Sequence, residues 1–280
     1  MKNLKQKKIA LINDMTGFGR CSIAVELPII SAYKIQCCPL PTAILSVHTG
    51  FKNYFLDDYT NRMEKYIDSW EKNNLEFDGV ATGFFGSAEQ IEIVAEFLKK
   101  FPAKVFIDPV MGDNGKIYKS YTREMCIKMR ELLKFADVIT PNLTEACELL
   151  GMNYPTDGVI SDSDLAIMTE KLSAKIRGDK VVITGITLDF DNENKISNFI
   201  YDGGKIDIVT SEKIGIDRSG TGDIFFAIVA ANLMQGKNLL YAVKTATDFV
   251  TKCIFHAEKL NLAWNVGLPF EEFLTDLKIS

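Results

Sequence analysis

The chain has 280 residues, 47% of them hydrophobic, with 32 basic and 37 acidic side chains and a net charge of -5. That size and apolar content suit a single domain over residues 1–280, and an acidic chain without a basic stripe argues against nucleic acid as the main partner. Six cysteines with no CxxC pair, and two distant histidines, His48 and His256, offer neither a zinc site nor a disulfide framework, which points to a reducing cytosolic setting.

Short β-type runs alternate with longer helical ones. Ile9–Ile12 reads as a strand and is too short for a signal core or a membrane span. Cys21–Tyr33 reads as a helix with Pro28 inside it, Ala43–Leu45 as a second strand, and Leu56–Lys72 as an amphipathic helix. Gly79–Ala81 is a strand, and Ser87 caps a helix running to Lys100. Strands at Val105–Ile107 and Val138–Ile139 precede helices at Tyr121–Phe135 and Asn142–Leu150. A helix at Asp164–Arg177 leads to a strand at Val181–Ile183. Phe199–Tyr201 and Ile206–Val209 flank Asp202-Gly203-Gly204 as a hairpin. Helices at Asp223–Met234, Leu239–His256 and Phe270–Leu277 complete the chain. The alternation predicts three layers, α/β/α, around a mostly parallel sheet with one antiparallel hairpin, and ligands beyond the carboxyl ends of its strands.

Several polar stretches fall just after those strands. Gly220-Thr221-Gly222-Asp223 opens a helix that is apolar nearly all round. Its glycines and its helix N-terminus can cradle an anion such as a transferring phosphoryl group. Asp223 beside that cradle can accept a proton from an attacking hydroxyl, with helix-end potential expected to lower its pKa. An ordinary first-turn aspartate explains the same letters. Asp108-Pro109-Val110-Met111-Gly112-Asp113 places two carboxylates where Mg²⁺ could sit, or simply makes a turn. Asn142 and Glu145 have capping-box spacing, which is compatible with phosphate binding at the same helix end. The loops Asn13–Arg20 and Ser46–Gly50, the latter with His48 and Thr49, suit a small polar substrate. No GxxxxGK[ST] is present, which argues against a P-loop enzyme.

Taken in order, NDMTGFGRCS (13–22), PLPTAILSVHTG (39–50), TGFFG (82–86), DPVMGDNGKIY (108–118), TPNLTEACELLG (140–151), VVITG (181–185) and GTGDIFFA (220–227) resemble the pyridoxal kinase family, bacterial pyridoxamine kinase branch, of the ribokinase-like superfamily. The resemblance implies a ribokinase-like kinase without a separate lid domain, acting on the 5′-hydroxymethyl group of a vitamin B6 vitamer with ATP. It implies Asp223 as the base and Gly220, Thr221 and Gly222 as the anion hole. Asp108, Asp113, Asn142 and Glu145 match the region that handles Mg²⁺ and the ATP phosphates, with Asp108 and Glu145 toward the metal. Thr184 matches a nucleotide contact. Asn13, Thr49 and Phe84 match positions lining the ring pocket, beside His48. The resembled enzymes commonly use K⁺ and are often homodimers. Many pyridoxal kinases have Ser where this chain has Asn13 and Tyr where it has Phe84, so vitamer preference stays open.

Two other readings compete. Hydroxymethylpyrimidine kinases share the fold and the DPVM segment, but typically carry Cys where this chain has Asp223. A nucleotide-binding regulator without catalysis would share the fold alone.

Overall fold

The computed structural model describes residues 5–155, 158–188 and 194–277. In chain order the elements are β1 (Lys8–Thr16), α1 (Ile23–Ala32), β2 (Gln36–Leu45), β3 (Leu56–Asp58), α2 (Thr60–Lys72), β4 (Gly79–Thr82), α3 (Ala88–Lys100), β5 (Lys104–Ile107), β6 (Gly112–Asp113) and β7 (Lys116–Ile117). They continue with α4 (Arg123–Leu132), β8 (Val138–Ile139), α5 (Leu143–Leu150), β9 (Val159–Ile160), α6 (Asp162–Ser173), β10 (Lys180–Leu188), β11 (Lys195–Asp202), β12 (Lys205–Glu212), α7 (Thr221–Met234) and α8 (Leu239–Lys259). The sheet runs β12-β11-β10-β8-β5-β4-β1-β2-β3, with β9 also on β10. Its centre, from β10 to β2, is parallel, while β3, β11 and β12 add antiparallel pairs at the two edges.

The central strands read as continuous apolar runs because both faces are covered. One face packs under α2 to α6, with Met63, Val94, Met129, Ala146 and Leu165 fully buried. The other packs under α1, α7 and α8, where α7 is buried from Ile224 to Met234. No helix among the described residues is long and apolar enough to cross a membrane.

Several elements differ from the sequence expectation, among them the short strands β6, β7 and β9, which it did not contain. β2 begins at Gln36 rather than Ala43 and pairs with β1 from Lys8↔Gln36 to Ile12↔Leu40. Pro39 and Pro41 fit within β2 because β3 pairs only with Ala43–Leu45, so the outer side at the prolines needs no ladder hydrogen bond. Leu56–Asp58 forms that short edge strand instead of opening α2, which starts at Thr60 where Asp58 accepts the Thr60 N–H at 2.7 Å. Phe270–Asp276 is 3₁₀ rather than α. The hairpin joins β11 to β12 with Asp202 opposite Lys205, and Gly203 and Gly204 supply the positive φ of the two-residue turn.

Candidate active site

The carboxyl ends of β1, β2, β4, β5, β8 and β10 share one edge of the sheet, so the stretches singled out from the sequence converge there. α7 arrives at that edge with its N-terminus. Gly220 is its N-cap at φ 78°, and no side chain caps the first turn, which leaves N–H groups available to an anion. Gly220 is irreplaceable for a second reason. A Cβ there would stand 1.9 Å from the carbonyl oxygen of Arg20. The Arg20–Ser22 turn lies directly on the glycine-rich turn, and it is strained, with Arg20 at φ 47° and Ser22 at φ 56°.

Asp223 lies beside that turn. The backbone N–H of Ser22 and the Asn13 amide both support its carboxylate, but burial outweighs them, and with Asp14 nearby its pKa is pushed up to about 6. The net shift is upward, contrary to the expected lowering, because desolvation of the half-buried carboxylate is the largest effect. Asp14 is buried, accepting hydrogen bonds from Thr16 Oγ1 and Ser22 Oγ, each at 2.6 Å.

Asn13, expected to line a ring pocket, is held on all sides by hydrogen bonds. It is 1% exposed, and its Oδ1 accepts the N–H groups of Asp14 at 2.9 Å and Phe84 at 2.8 Å. Its Nδ2 donates to Glu26 at 2.9 Å. It ties the end of β1 to the loop after β4. Phe84 is half-buried on that loop, its carbonyl accepting from Thr42 Oγ1 at 2.9 Å.

On the far side of the cleft, Asp108 accepts from Thr140 Oγ1 at 3.3 Å, and burial together with Asp223 pushes its pKa up to about 8. Asn142 and Glu145 form the capping box in full: Glu145 N–H donates to Asn142 Oδ1 at 3.0 Å and Asn142 N–H to Glu145 Oε2 at 2.8 Å. Glu145 Oε1 accepts the Met111 N–H at 3.1 Å, and Asn142 Nδ2 donates to the Gly112 carbonyl at 2.8 Å. Both side chains thus hold the Asp108–Asp113 loop against α5. Glu145 is buried, and burial with Asp108 beside it raises its carboxyl well above the ordinary range. The metal role anticipated for Glu145 meets a carboxylate whose two oxygens already accept N–H groups. Asp113 lies on the exposed β6–β7 hairpin, bonded to Asn114, and burial with the charge of Asp217 raises its carboxyl above the ordinary value. Thr184 bridges to Asn142, its N–H donating to the Pro141 carbonyl at 2.9 Å.

His48 is half-buried and joins the loop after β2 to the C-terminal segment. Its Nε2 meets the Asn265 carbonyl at 2.8 Å while Gly50 N–H donates to its Nδ1 at 3.1 Å, a pattern that suits the neutral ring with the proton on Nε2. Phe51 packs edge-on at 4.8 Å, with Trp264 at 6.1 Å. Thr49 is exposed beside it. Sequence reasoning missed Asp14, Ser22 and Glu26. The last had a signal, a lone acid inside the apolar run IAVELPIISA.

Residues 25–267 match the sequence profile described as phosphomethylpyrimidine kinase. The chain belongs to that family. The Haemophilus influenzae hydroxymethylpyrimidine/phosphomethylpyrimidine kinase is 33% identical over 187 residues, covering 66% of this chain and 68% of that one. The Bacillus subtilis pyridoxine kinase is 32% identical over 189 residues, covering 66% of each. The chain spans 48% of the Arabidopsis thaliana chloroplastic thiamine biosynthetic bifunctional enzyme TH1, with 27% identity over 264 residues. Among solved structures, a Bacteroides thetaiotaomicron protein assigned by name to the phosphomethylpyrimidine kinases superposes with a TM-score of 0.93 at 38% identity, covering 100% of this kinase and 96% of that chain. Its orthorhombic form, with pyridoxal, gives a TM-score of 0.91 at 38% identity, covering 98% and 96%. The relatives of this kinase thus carry names for both pyrimidine and vitamin B6 substrates.

Proposed function

We propose that the kinase transfers the γ-phosphoryl group of ATP to the hydroxymethyl oxygen of a vitamin B6 vitamer. The observation that carries the reading is Asp223, a carboxylate at the mouth of a buried helix with a pKa of about 6. It is largely ionised at neutral pH, yet basic enough to take a hydroxyl proton as the transfer proceeds. The hydroxyl oxygen attacks the γ-phosphorus, its proton passes to Asp223, and the bond from phosphorus to the leaving ADP oxygen breaks. Charge on the transferring group meets the uncapped N–H groups of the Gly220–Asp223 turn. An aspartate at this position, where hydroxymethylpyrimidine kinases typically carry Cys, supports the vitamer, as does the pyridoxal form of the relative at 38% identity.

Mg²⁺, which accompanies ATP in such transfers, fits the donor set. Asp108 and Asp223, the half-buried carboxylates that influence each other at the site, both have raised pKa values, and no lysine or arginine pairs with either among the described residues. Asp108, half-buried at the cleft, is the residue that would hold the ion, and the ion would supply charge neutralisation there. Glu145 and Asn142 keep the Asp108 loop in place. Homodimerisation is part of the proposal: Ile44, Phe55 and Leu56 leave the β2–β3 edge exposed and apolar. A cytosolic setting fits six cysteines that are all free.

Hydroxymethylpyrimidine phosphorylation is the second reading, favoured by the family match and the Haemophilus influenzae relative. ADP release measured with pyridoxal, pyridoxamine, pyridoxine and hydroxymethylpyrimidine tests both. Turnover with at least one vitamer is expected. Turnover with hydroxymethylpyrimidine and none of the vitamers rejects the proposal.

A further inference from the structure

The segment that follows α8 offers a row of carbonyls to the site. Arg218 Nη1 donates to the Leu262 carbonyl at 2.7 Å and to the Ala263 carbonyl at 3.4 Å, and the Ser219 N–H donates to the Trp264 carbonyl at 3.1 Å. His48 Nε2 meets the Asn265 carbonyl at 2.8 Å, and Arg20 Nη1 donates to the Val266 carbonyl at 3.3 Å. Every carbonyl from Leu262 to Val266 thus accepts from a loop of the site: the one after β1, the one after β2, or the one that opens α7. Arg218 anchors the row. Its side chain is 3% exposed, and Nη2 donates to Glu258 Oε1 at 2.6 Å in the last turn of α8. Its own carbonyl accepts from Thr221 Oγ1 at 2.8 Å. One residue therefore ties the end of α8 to the first turn of α7. That first turn has no side-chain cap, so contacts from outside the helix decide where it sits.

We propose that Arg218 is a positioning residue for phosphoryl transfer, holding the Gly220–Asp223 turn against the end of α8. This deepens the reading of that turn as the anion hole and rests on it. A guanidinium suits the task because its planar fork reaches a carboxylate and carbonyl oxygens together, which the point charge of an ammonium does not. Stability alone explains the residue poorly. Burying a guanidinium is costly, and Arg218 Nε is buried without a hydrogen-bond partner. Both Nη atoms are engaged with α8 and the segment behind it, so Arg218 acts through the turn and touches no reacting atom. Losing it lets the uncapped N–H groups drift from the path of the γ-phosphoryl group. The loss is felt where charge develops on that group, and contacts to ADP and to the accepting hydroxyl compound are left in place.

The test compares Arg218→Met, which removes the fork at similar length, with Arg218→Lys, which keeps a charge for Glu258 without it. Arg177→Met is the comparator. Arg177 pairs with Asp137 and donates to the Ala103 carbonyl beyond the amino ends of β8 and β10, at the opposite edge of the sheet. In turnover, Arg218→Met is expected to lose roughly ten- to hundredfold in kcat, as misplacement of about 1 Å does, with KM for the phosphoryl acceptor unchanged. Arg218→Lys should fall between it and wild type. Arg177→Met should melt lower and keep kcat. Calorimetric titration with Mg²⁺ present, using ADP and an ATP analogue whose γ-phosphoryl group cannot be transferred, reads the turn without turnover. Arg218→Met is expected to bind the analogue more weakly than wild type does and ADP as tightly. Wild-type kcat in a folded Arg218→Met overturns the proposal, and so does an analogue affinity that is unchanged or that falls only in step with ADP. If Arg218→Met fails to fold, Arg218→Lys carries the test, and wild-type kcat and analogue affinity in that variant overturn the proposal. If the wild type phosphorylates neither vitamers nor hydroxymethylpyrimidine, the reading of the acceptor falls, while the paired titrations still decide the role of Arg218.

Discussion

Asp223 is held between opposing influences: burial and Asp14 raise its pKa, while the Ser22 N–H and the Asn13 amide lower it. Removing its charge should therefore have separate effects on chemistry and on stability. Asp223→Asn keeps size and shape but not the basic oxygen, and loss of a general base costs on the order of 10²–10⁴-fold. A fall of kcat in that range is expected, with KM for ATP nearly unchanged. In the wild type, kcat/KM should rise with pH through about 6 as the carboxylate ionises. The stability effect has the opposite sense. Asp223 moves from an ordinary value of 3.8 to about 6 on folding, so the folded protein prefers the protonated form. Its ionisation costs stability as pH climbs through that interval, and the cost is complete above it. Asp223→Asn lacks the cost and also relieves Asp108. Its melting temperature should equal wild type at low pH and exceed it increasingly through the window. A variant that melts lower and keeps most of kcat would leave Asp223 as an ordinary first-turn residue. Steady-state kinetics and melting curves over the same pH series check both halves.

Among the elements, the turns decide how well the site is built. The capping box of Asn142 and Glu145 was readable because its signature is local, three residues apart on one helix. The glycine-rich opening of α7 was readable too, but not why Gly220 must be glycine, since its neighbour Arg20 lies 200 positions away in sequence. β2 extends back from the expected Ala43–Leu45 through Pro41 and Pro39 to Gln36; whether a proline is tolerated in a strand depends on which side is paired, and that is set by the distant β3. Glu26 and Asn13 share the same difficulty: their partners are tertiary, and only the oddity of an acid among apolar residues is visible beforehand. Gly220→Ala tests the contact between the two turns. The new methyl would need positive φ, which costs an L-residue roughly 1–2 kcal/mol, and it would also displace the Arg20–Ser22 turn. Chemical denaturation is expected to show at least that loss. The Ser22 N–H moves with its turn, so kcat should fall further than the stability loss explains. A variant with wild-type kcat would mean that the turn tolerates displacement and does not hold Asp223.

The whole molecule places its chemistry at the seam between two cores. One core lies under α2 to α6 and the other under α1, α7 and α8, with the sheet between them. Loops after β1, β2 and β4 form one side of the cleft. Those after β5, β8 and β10 form the other, and the N-terminus of α7 packs on the Arg20–Ser22 turn of the first. A ligand seated there touches segments rooted in both cores, so its binding free energy should register as stability of the entire fold. For a ligand that binds only the folded state, saturation at 100 times Kd adds about 2.7 kcal/mol. At roughly 2 °C per kcal/mol for a chain this long, the melting temperature should rise by about 5 °C. ADP with Mg²⁺ and pyridoxal should each raise it alone, and together they should raise it further if the two sides of the cleft are occupied at once. Hydroxymethylpyrimidine at equal concentration should raise it less. Because this reading needs no turnover, Asp223→Asn can be used in the same experiment and should keep the nucleotide shift. A large shift with hydroxymethylpyrimidine and none with any vitamer would move the substrate assignment to the pyrimidine. A vitamer shift in the variant without turnover would separate binding from proton transfer, the step the proposal assigns to Asp223.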